Sequence, residues 1–335
     1  MKSLQSIAVV FCLVLFVQSC SKEEEQPAVT EPQVQKNYSV PVFPGKKSME
    51  YVVKQVEFGP RVPNSEAHKN CADWMVETFE AAGWDVIEQE FTATAYTGDE
   101  LESNNIIAQY NPKAKRRLLF AAHWDTRPFA DSPLSTKDKD QPIDGADDGA
   151  SGVAVLMELA EVIAQNPIES ADLGVDIILF DSEDYGDASG KTKDSYCLGS
   201  QYWSKNKHVA GYNADFGILL DMVGSEAPRF TKEEGSMYFA GNIMNRVWQL
   251  AQDMGMGDKF VNETSTMIID DHYYVNTIAK IPMIDIINRP ADTETGFGQY
   301  WHTHDDTVDI ISEKSLKDVG QLLSAVIYRH ASRKL

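Results

Sequence analysis

The sequence predicts an α/β fold in which a largely parallel or mixed sheet is covered on both faces by helices. Short apolar runs alternate with longer segments whose apolar residues recur at helical spacing. Several runs are apolar throughout, as expected of strands buried on both faces. Three of them stop on a histidine or an aspartate, and open α/β sheets bind ligands outside the carboxyl ends of their strands.

The elements follow in order. Asn64 to Ala82 reads as a helix: Asn64 or Ser65 can cap it, Cys71, Met75, Val76 and Phe79 share a face, and Gly83 ends it. Asp85 to Thr92 and Asn105 to Tyr110 are strands, and Arg117 to Ala122 is a short strand ending at His123. Ser151 to Gln165 is a helix with Val155, Leu156, Leu159, Ala160 and Ile163 at helical spacing. Val175 to Phe180, Phe216 to Leu220 and Ile281 to Ile287 are buried strands, the first two ending at Asp181 and Asp221. Lys314 to Ser332 closes the chain as an amphipathic helix.

The N-terminus has a different organisation. Lys2, an apolar run from Ile7 to Val17 and the site Val17-Gln18-Ser19-Cys20 have the layout of a secretory signal too short to span a bilayer. Residues 1–20 resemble a bacterial lipoprotein signal, which implies lipidation of Cys20 and a place in the periplasm or outer membrane. Residues 21–40, rich in Glu, Pro and Gln, read as a disordered tether. Their Lys22-Glu23-Glu24-Glu25 start resembles the acidic export signal of surface lipoproteins in some diderm bacteria. Residues 41–335 suit one catalytic domain. The net charge of -21 disfavours nucleic acid and anionic lipid surfaces, so membrane contact is expected only through the anchor. Cys71 and Cys197 remain after Cys12 and Cys20 are set aside; they lack ligand-like spacing and are expected as buried free thiols.

The chemistry lies in a series of acids and histidines: His123-Trp124-Asp125, Asp147-Asp148-Gly149, Glu183-Asp184, Asp221 and Trp301-His302-Thr303-His304. Imidazole and carboxylate form the ligand set of a catalytic zinc site, in which three protein ligands leave a position open. Asp125 is placed to orient His123 or its neighbours. Asp148 is the stronger ligand candidate of its pair, with Asp147 a cap or outer group. Asp181, Glu183 and Asp184 after a buried strand would repel one another unless a cation intervenes. Asp184 as ligand leaves Glu183 free to carry protons. Asp221, and Asp270 in Met267-Ile268-Ile269-Asp270-Asp271-His272, are further switches from apolar to acidic. His302 is the better ligand of its pair because Trp301 supplies an apolar wall, to which Phe297 would add; His304 reads as solvated.

In order, these residues resemble the zinc-dependent aminopeptidase family that also contains the glutaminyl cyclases of animal type. The resemblance starts at Phe58-Gly59-Pro60-Arg61 and covers nearly all of the mature chain. It implies a three-layer α/β/α, zinc-exopeptidase-like fold with a mixed, mostly parallel sheet, and a cis peptide at Asp148-Gly149. Trp301 before His302, and the loop Ile268 to His272, resemble the cyclases more than the peptidases.

Carried onto this chain, the cyclase pattern implies one zinc held by Asp148, Asp184 and His302. It makes Glu183 the proton shuttle, with Asp221 and Asp270 in its hydrogen-bond network and Phe297 and Trp301 lining the pocket. Animal cyclases have Glu where this chain has Asp184. The segments Asp131 to Pro142 and Gly186 to Asp194 resemble bacterial members and are expected to shape the entrance.

The implied reaction converts the N-terminal Gln of peptides or proteins to pyroglutamate with release of ammonia. A rival reading is a two-zinc aminopeptidase, with His123 and Asp221 on a second metal bridged by Asp148 and with Glu183 activating water. A rival of another class is a non-catalytic binding lipoprotein on the same scaffold.

Overall fold

The computed structural model describes residues 37–168 and 172–335. The expected signal, Cys20 and nearly all of the 21–40 tether lie outside the described residues. Contacts of the fold begin just before the expected boundary at Pro41: the Tyr38 amide donates to Ser332 Oγ at 2.9 Å, and its ring packs on the core.

Helices α1 (Lys46–Glu57) and α2 (Glu66–Ala81) precede an antiparallel pair, β1 (Asp85–Thr94) and β2 (Glu100–Tyr110). Next come β3 (Arg116–His123), α3 (Ala150–Gln165), β4 (Leu173–Phe180), α4 (Leu198–Lys205) and β5 (Phe216–Asp221). Strand β6 (Phe230–Glu233), helix α5 (Glu234–Asp253) and strand β7 (Phe260–Ser265) follow, with β6 and β7 forming a small separate parallel pair. A short helix α6 (Asp271–Tyr274) runs into a π-helical turn, Val275–Ala279. Strand β8 (Met283–Ile287) and helix α7 (Glu313–Ala331) complete the chain.

The main sheet has the order β1-β2-β4-β3-β5-β8. Strands β4, β3, β5 and β8 run parallel, while β2 joins β4 antiparallel, so the sheet is mixed and mostly parallel as expected. Alternation along the strands divides the core. Phe120, Ile177, Ile218 and Ile286 face a layer containing α1, α2, α3, α5 and α7. Leu119, Ile178, Leu219 and Met283 face Trp203 of α4 and the π turn. Each fully buried Leu, Ile or Phe contributes about 1.5–3 kcal/mol relative to exposure, and both faces contain several.

Local chemistry explains the boundaries. Ser65 Oγ accepts the His68 amide at 3.1 Å and starts α2. Gly152 lets α3 press onto β5, since a Cβ there would lie 2.6 Å from the Leu220 carbonyl oxygen. Helix α5 is hidden from sequence rules because Gly235 and Gly241 dilute its pattern and Ala240 breaks it (φ -138°, ψ 31°). Its cap is also unusual: the Glu233 carboxylate accepts the amides of Gly235 and Ser236 at 2.7 and 2.5 Å.

Candidate metal centre and cavity

The parallel strands deliver the polar series to one end of the sheet. His123 is the last residue of β3 and Asp221 the last of β5; Glu183 and Asp184 follow the end of β4, and Asp148 precedes α3. A loop before α7 brings in His302. His302 Nε2 lies 3.0 Å from Asp184 Oδ1 and 3.5 Å from Asp148 Oδ2. His123 Nε2 lies 3.0 Å from Asp148 Oδ1 and 3.4 Å from Asp221 Oδ1. Two three-residue groups therefore share Asp148, and each has ligand atoms within 4.8 Å of one another.

Buried groups hold this geometry. Asp125 accepts the amides of Glu183 and Asp184 at 3.0 and 3.1 Å, while its Oδ1 stands 3.6 Å from His123 Nδ1. Asp306 does the same on the other side, accepting the amides of Asp147 and Asp148 at 2.8 and 3.1 Å. Asp147 is an outer group and not a cap of α3: its carboxylate accepts the Gly224 amide at 2.7 Å and the Tyr300 hydroxyl. Arg61, from the Gly-Pro-Arg segment, is fully buried and donates to the carbonyls of Asp144 and Gly145 at 2.5 and 2.7 Å. It thereby anchors the loop that carries Asp148.

The expected cis peptide is not found: all peptide bonds among the described residues are trans. Gly149 makes the turn instead, with φ 99°, at a point where a Cβ would lie 2.7 Å from the Asp125 carbonyl oxygen. Four non-glycine residues at the site also take positive φ: Ser182 (52°), Cys197 (59°), Met222 (47°) and His302 (53°). Such conformations persist where surrounding structure imposes them, and they cluster at functional sites.

The insert from Asp131 does more than border the entrance. Asp131 sits 3.6 Å from His302 Nδ1 and is held by Arg127, at 2.7 Å from Nη2. Arg127 Nη1 also donates to the carbonyls of Asp184 and Gly186, each at 2.8 Å. This carboxylate–imidazole pair is the usual support of a metal-binding histidine. His304 turns away from the cluster, its Nε2 3.1 Å from the Asp138 carbonyl oxygen.

The donor set fits a cation. Asp148 Oδ2, Asp184 Oδ2 and Asp221 Oδ1 are buried without a hydrogen-bond partner, which is costly for such groups unless an ion satisfies the cluster. Burial and the neighbouring Asp270 and Asp148 push Asp221 up to about 8, against the pull of His123. Burial would lower His302, but Asp184, Asp131 and Asp148 outweigh it and raise the imidazole to about 9. Crowded like charges in a cleft are the electrostatic mark of a functional site.

Beside the cluster opens a cavity of about 290 Å³. Asp148, Asp184 and His302 form its floor, Glu183, Asp221 and Asp270 contribute carboxylates, and Ile268, Ile269, Tyr196, Phe297 and Trp301 supply the walls. His123 is not among the residues that line it. The Trp301 and His302 rings stack at 3.8 Å, and Phe297 lies 4.8 Å from Trp301.

Burial, with the charges of Asp184, Asp270 and Asp271, pushes Glu183 well above the ordinary glutamate range despite His123. The hydrogen bond made by its carboxylate differs from the expected network. Oε1 accepts from the Cys197 thiol at 3.1 Å, and Asp270 has a ligand-type oxygen within 4.8 Å of both groups. Asp221 belongs geometrically to His123. Cys71 and Cys197 are free and buried, as expected. Asp131 supports His302, and Asp306 supports the Asp147 and Asp148 amides, from distant segments, roles that local sequence does not reveal.

The fold and donor set define a zinc-exopeptidase-like α/β protein. The sequence matches the family described as Peptidase family M28 over residues 105–327, and the chain belongs to that family. A Zn-dependent exopeptidase from Parabacteroides distasonis is 45% identical, with a TM-score of 0.84, covering 87% of this chain and 99% of that one. The Bacteroides thetaiotaomicron glutaminyl cyclase bound to N-acetylhistamine is 46% identical, with a TM-score of 0.83 and the same coverages of 87% and 99%. The glutaminyl-peptide cyclotransferase of Drosophila melanogaster is 26% identical over 284 residues, 79% of this chain and 75% of its own length.

Proposed function

We propose that this chain is a glutaminyl-peptide cyclotransferase, converting the N-terminal glutamine of peptides and proteins to pyroglutamate with release of ammonia. The observation that carries the reading is the cavity of about 290 Å³, where Tyr196, Phe297, Trp301, Ile268 and Ile269 supply the walls. Its floor offers one ligand triad, with Glu183 and Asp270 beside it. The similarity to proteins named as glutaminyl cyclases supports the same reading.

Asp148, Asp184 and His302 would hold one zinc per chain. When bound, zinc supplies Lewis acidity to the substrate's side-chain carbonyl. Glu183 takes the proton released as the substrate's α-amine attacks the carboxamide carbon and returns it to the departing amide nitrogen. The new C–N bond closes the ring, the old one breaks, and ammonia leaves. A carboxylate destabilised by burial is a strong base for this transfer. Asp270 accepts hydrogen bonds from the carboxamide NH2, Asp221 stands 3.4 Å from His123 Nε2 at the border of the cavity, and Trp301 and Phe297 orient the glutamine. Because each group given a role acts on the glutamine itself, many Gln-initiated peptides should be substrates whatever follows the glutamine.

The protein is placed in the periplasm or outer membrane by a lipid on Cys20. Incorporation of labelled fatty acid, abolished in Cys20→Ala, supports the anchor, and labelling that survives the substitution contradicts it. Metal analysis together with an ammonia-release assay tests the function. One zinc per active chain and ammonia from Gln-peptides are expected; a requirement for two zinc ions, with residues released from Leu-peptides, moves the chain to the aminopeptidases.

A further inference from the structure

We propose that Cys197 is a positioning residue for Glu183: its thiol donates a hydrogen bond to Oε1 and fixes the carboxylate for proton transfer. The inference rests on the proposed role of Glu183 in cyclisation. Two backbone bonds first bring the residues together. The Cys197 amide donates to the Glu183 carbonyl at 2.8 Å, and the Leu198 amide donates to the Ser182 carbonyl at 3.0 Å. Ser182 and Cys197, on the two sides of this clamp, both hold left-handed backbone conformations, at φ 52° and 59°. A side chain in that region is disfavoured without glycine or a local hydrogen bond.

The side chains then meet at 3.1 Å between Sγ and Oε1. Cys197 is fully buried, immediately before α4, and no cation stands among the groups that influence it most. Burial and the charge of Glu183 keep it a thiol, so it offers a proton and not a second negative charge. Asp184 is next in the chain and Asp270 has a ligand-type oxygen within 4.8 Å of Glu183, so its carboxylate stands among other carboxylates. A neutral donor can hold one oxygen without sequestering the charge that the base requires, whereas a lysine or arginine would form an ion pair and weaken the base. The S–H bond is weak, so the carboxylate is oriented but remains basic.

The test compares Cys197→Ala, which removes the donor, with Cys197→Ser, which replaces it by a hydroxyl. On a Gln-initiated peptide, Cys197→Ala should lower kcat about tenfold with KM and zinc content unchanged, the effect of losing one hydrogen bond to a charged group. Cys197→Ser should restore most of that loss. Equal damage in both variants, or wild-type kcat in Cys197→Ala, overturns the proposal.

The S–H stretching band, isolated as the infrared difference between wild type and Cys197→Ser, provides a readout that requires no turnover. It should lie at the frequency of a hydrogen-bonded thiol and shift in Glu183→Gln. A band at the free-thiol position that ignores Glu183→Gln overturns the contact even if Cys197→Ala does not fold. Absence of ammonia release by the wild type would instead count against the proposed function, leaving the band to decide the contact.

Discussion

The indole of Trp301 stacks on the imidazole of His302 with ring centroids 3.8 Å apart and planes 21° from parallel. One side chain walls the cavity while the next, at a left-handed φ of 53°, turns toward Asp184 and Asp148. The wall and the metal site are therefore built by adjacent residues. Trp301→Ala should leave zinc bound, since Asp131 still supports His302, but remove the surface that orients the glutamine. A fall in kcat/KM of roughly 10²-fold is expected, the scale of a misplaced substrate. Activity and metal content measured on the same sample check it; loss of zinc would show that the indole's main role is to hold His302.

Glu183 and His302 should fail differently. Glu183→Gln should retain zinc and bind substrate while kcat falls by roughly 10²–10⁴, the range for a general acid–base residue. His302→Ala should lose zinc. Single-turnover kinetics and metal analysis separate the two, and near-normal turnover in Glu183→Gln would remove the proposed proton carrier.

Asp306 presents its two oxygens to successive amides, those of Asp147 and Asp148. Asp306→Ala leaves both donors without that partner and frees the ligand loop. Zinc affinity should fall by roughly 10–100-fold, the usual cost of losing a group that supports a ligand. Competition with a chelator measures it.

A pH effect on stability follows from Glu233. Burial alone would raise its carboxyl; His272 at 3.2 Å and the amides of Ser236 and Gly235 outweigh burial and hold it at about 2. The folded value lies below that of an unfolded glutamate, about 4.3. The stabilisation is therefore complete above about pH 5 and fades as pH falls toward about 2. Glu233→Gln should be less stable than wild type near neutrality, and the gap should narrow on acidification. Urea midpoints at several pH values test this; a gap that is constant across the range contradicts it.

Much of the sheet was legible because buried strands here are short apolar runs ending on ligand-type residues, as at His123 and Asp221. The gathering of Asp148, Asp184 and His302 was legible through the ordered pattern of acids and histidines. Elements that depend on tertiary context were not. Helix α5 is interrupted at Ala240 and capped by a glutamate, and neither feature resembles a helix signal. The supports Asp131 and Asp306 act on His302 and on the Asp147 and Asp148 amides, contacts between distant segments that no local spacing reveals. The expected cis peptide is a trans bond here, with Gly149 at φ 99°. The contact of Cys197 with Glu183, 14 residues away, was not legible because a thiol without ligand spacing signals no partner.

Cyclisation of glutamine and hydrolysis of a peptide bond leave products of different mass. The most direct test of the proposed function is mass spectrometry of an equimolar mixture of Gln-initiated and Leu-initiated peptides after incubation with zinc-loaded enzyme. The Gln-peptide should lose one ammonia and keep all its residues, while the Leu-peptide is unchanged. Loss of the terminal leucine, with the Gln-peptide left uncyclised, would contradict that function.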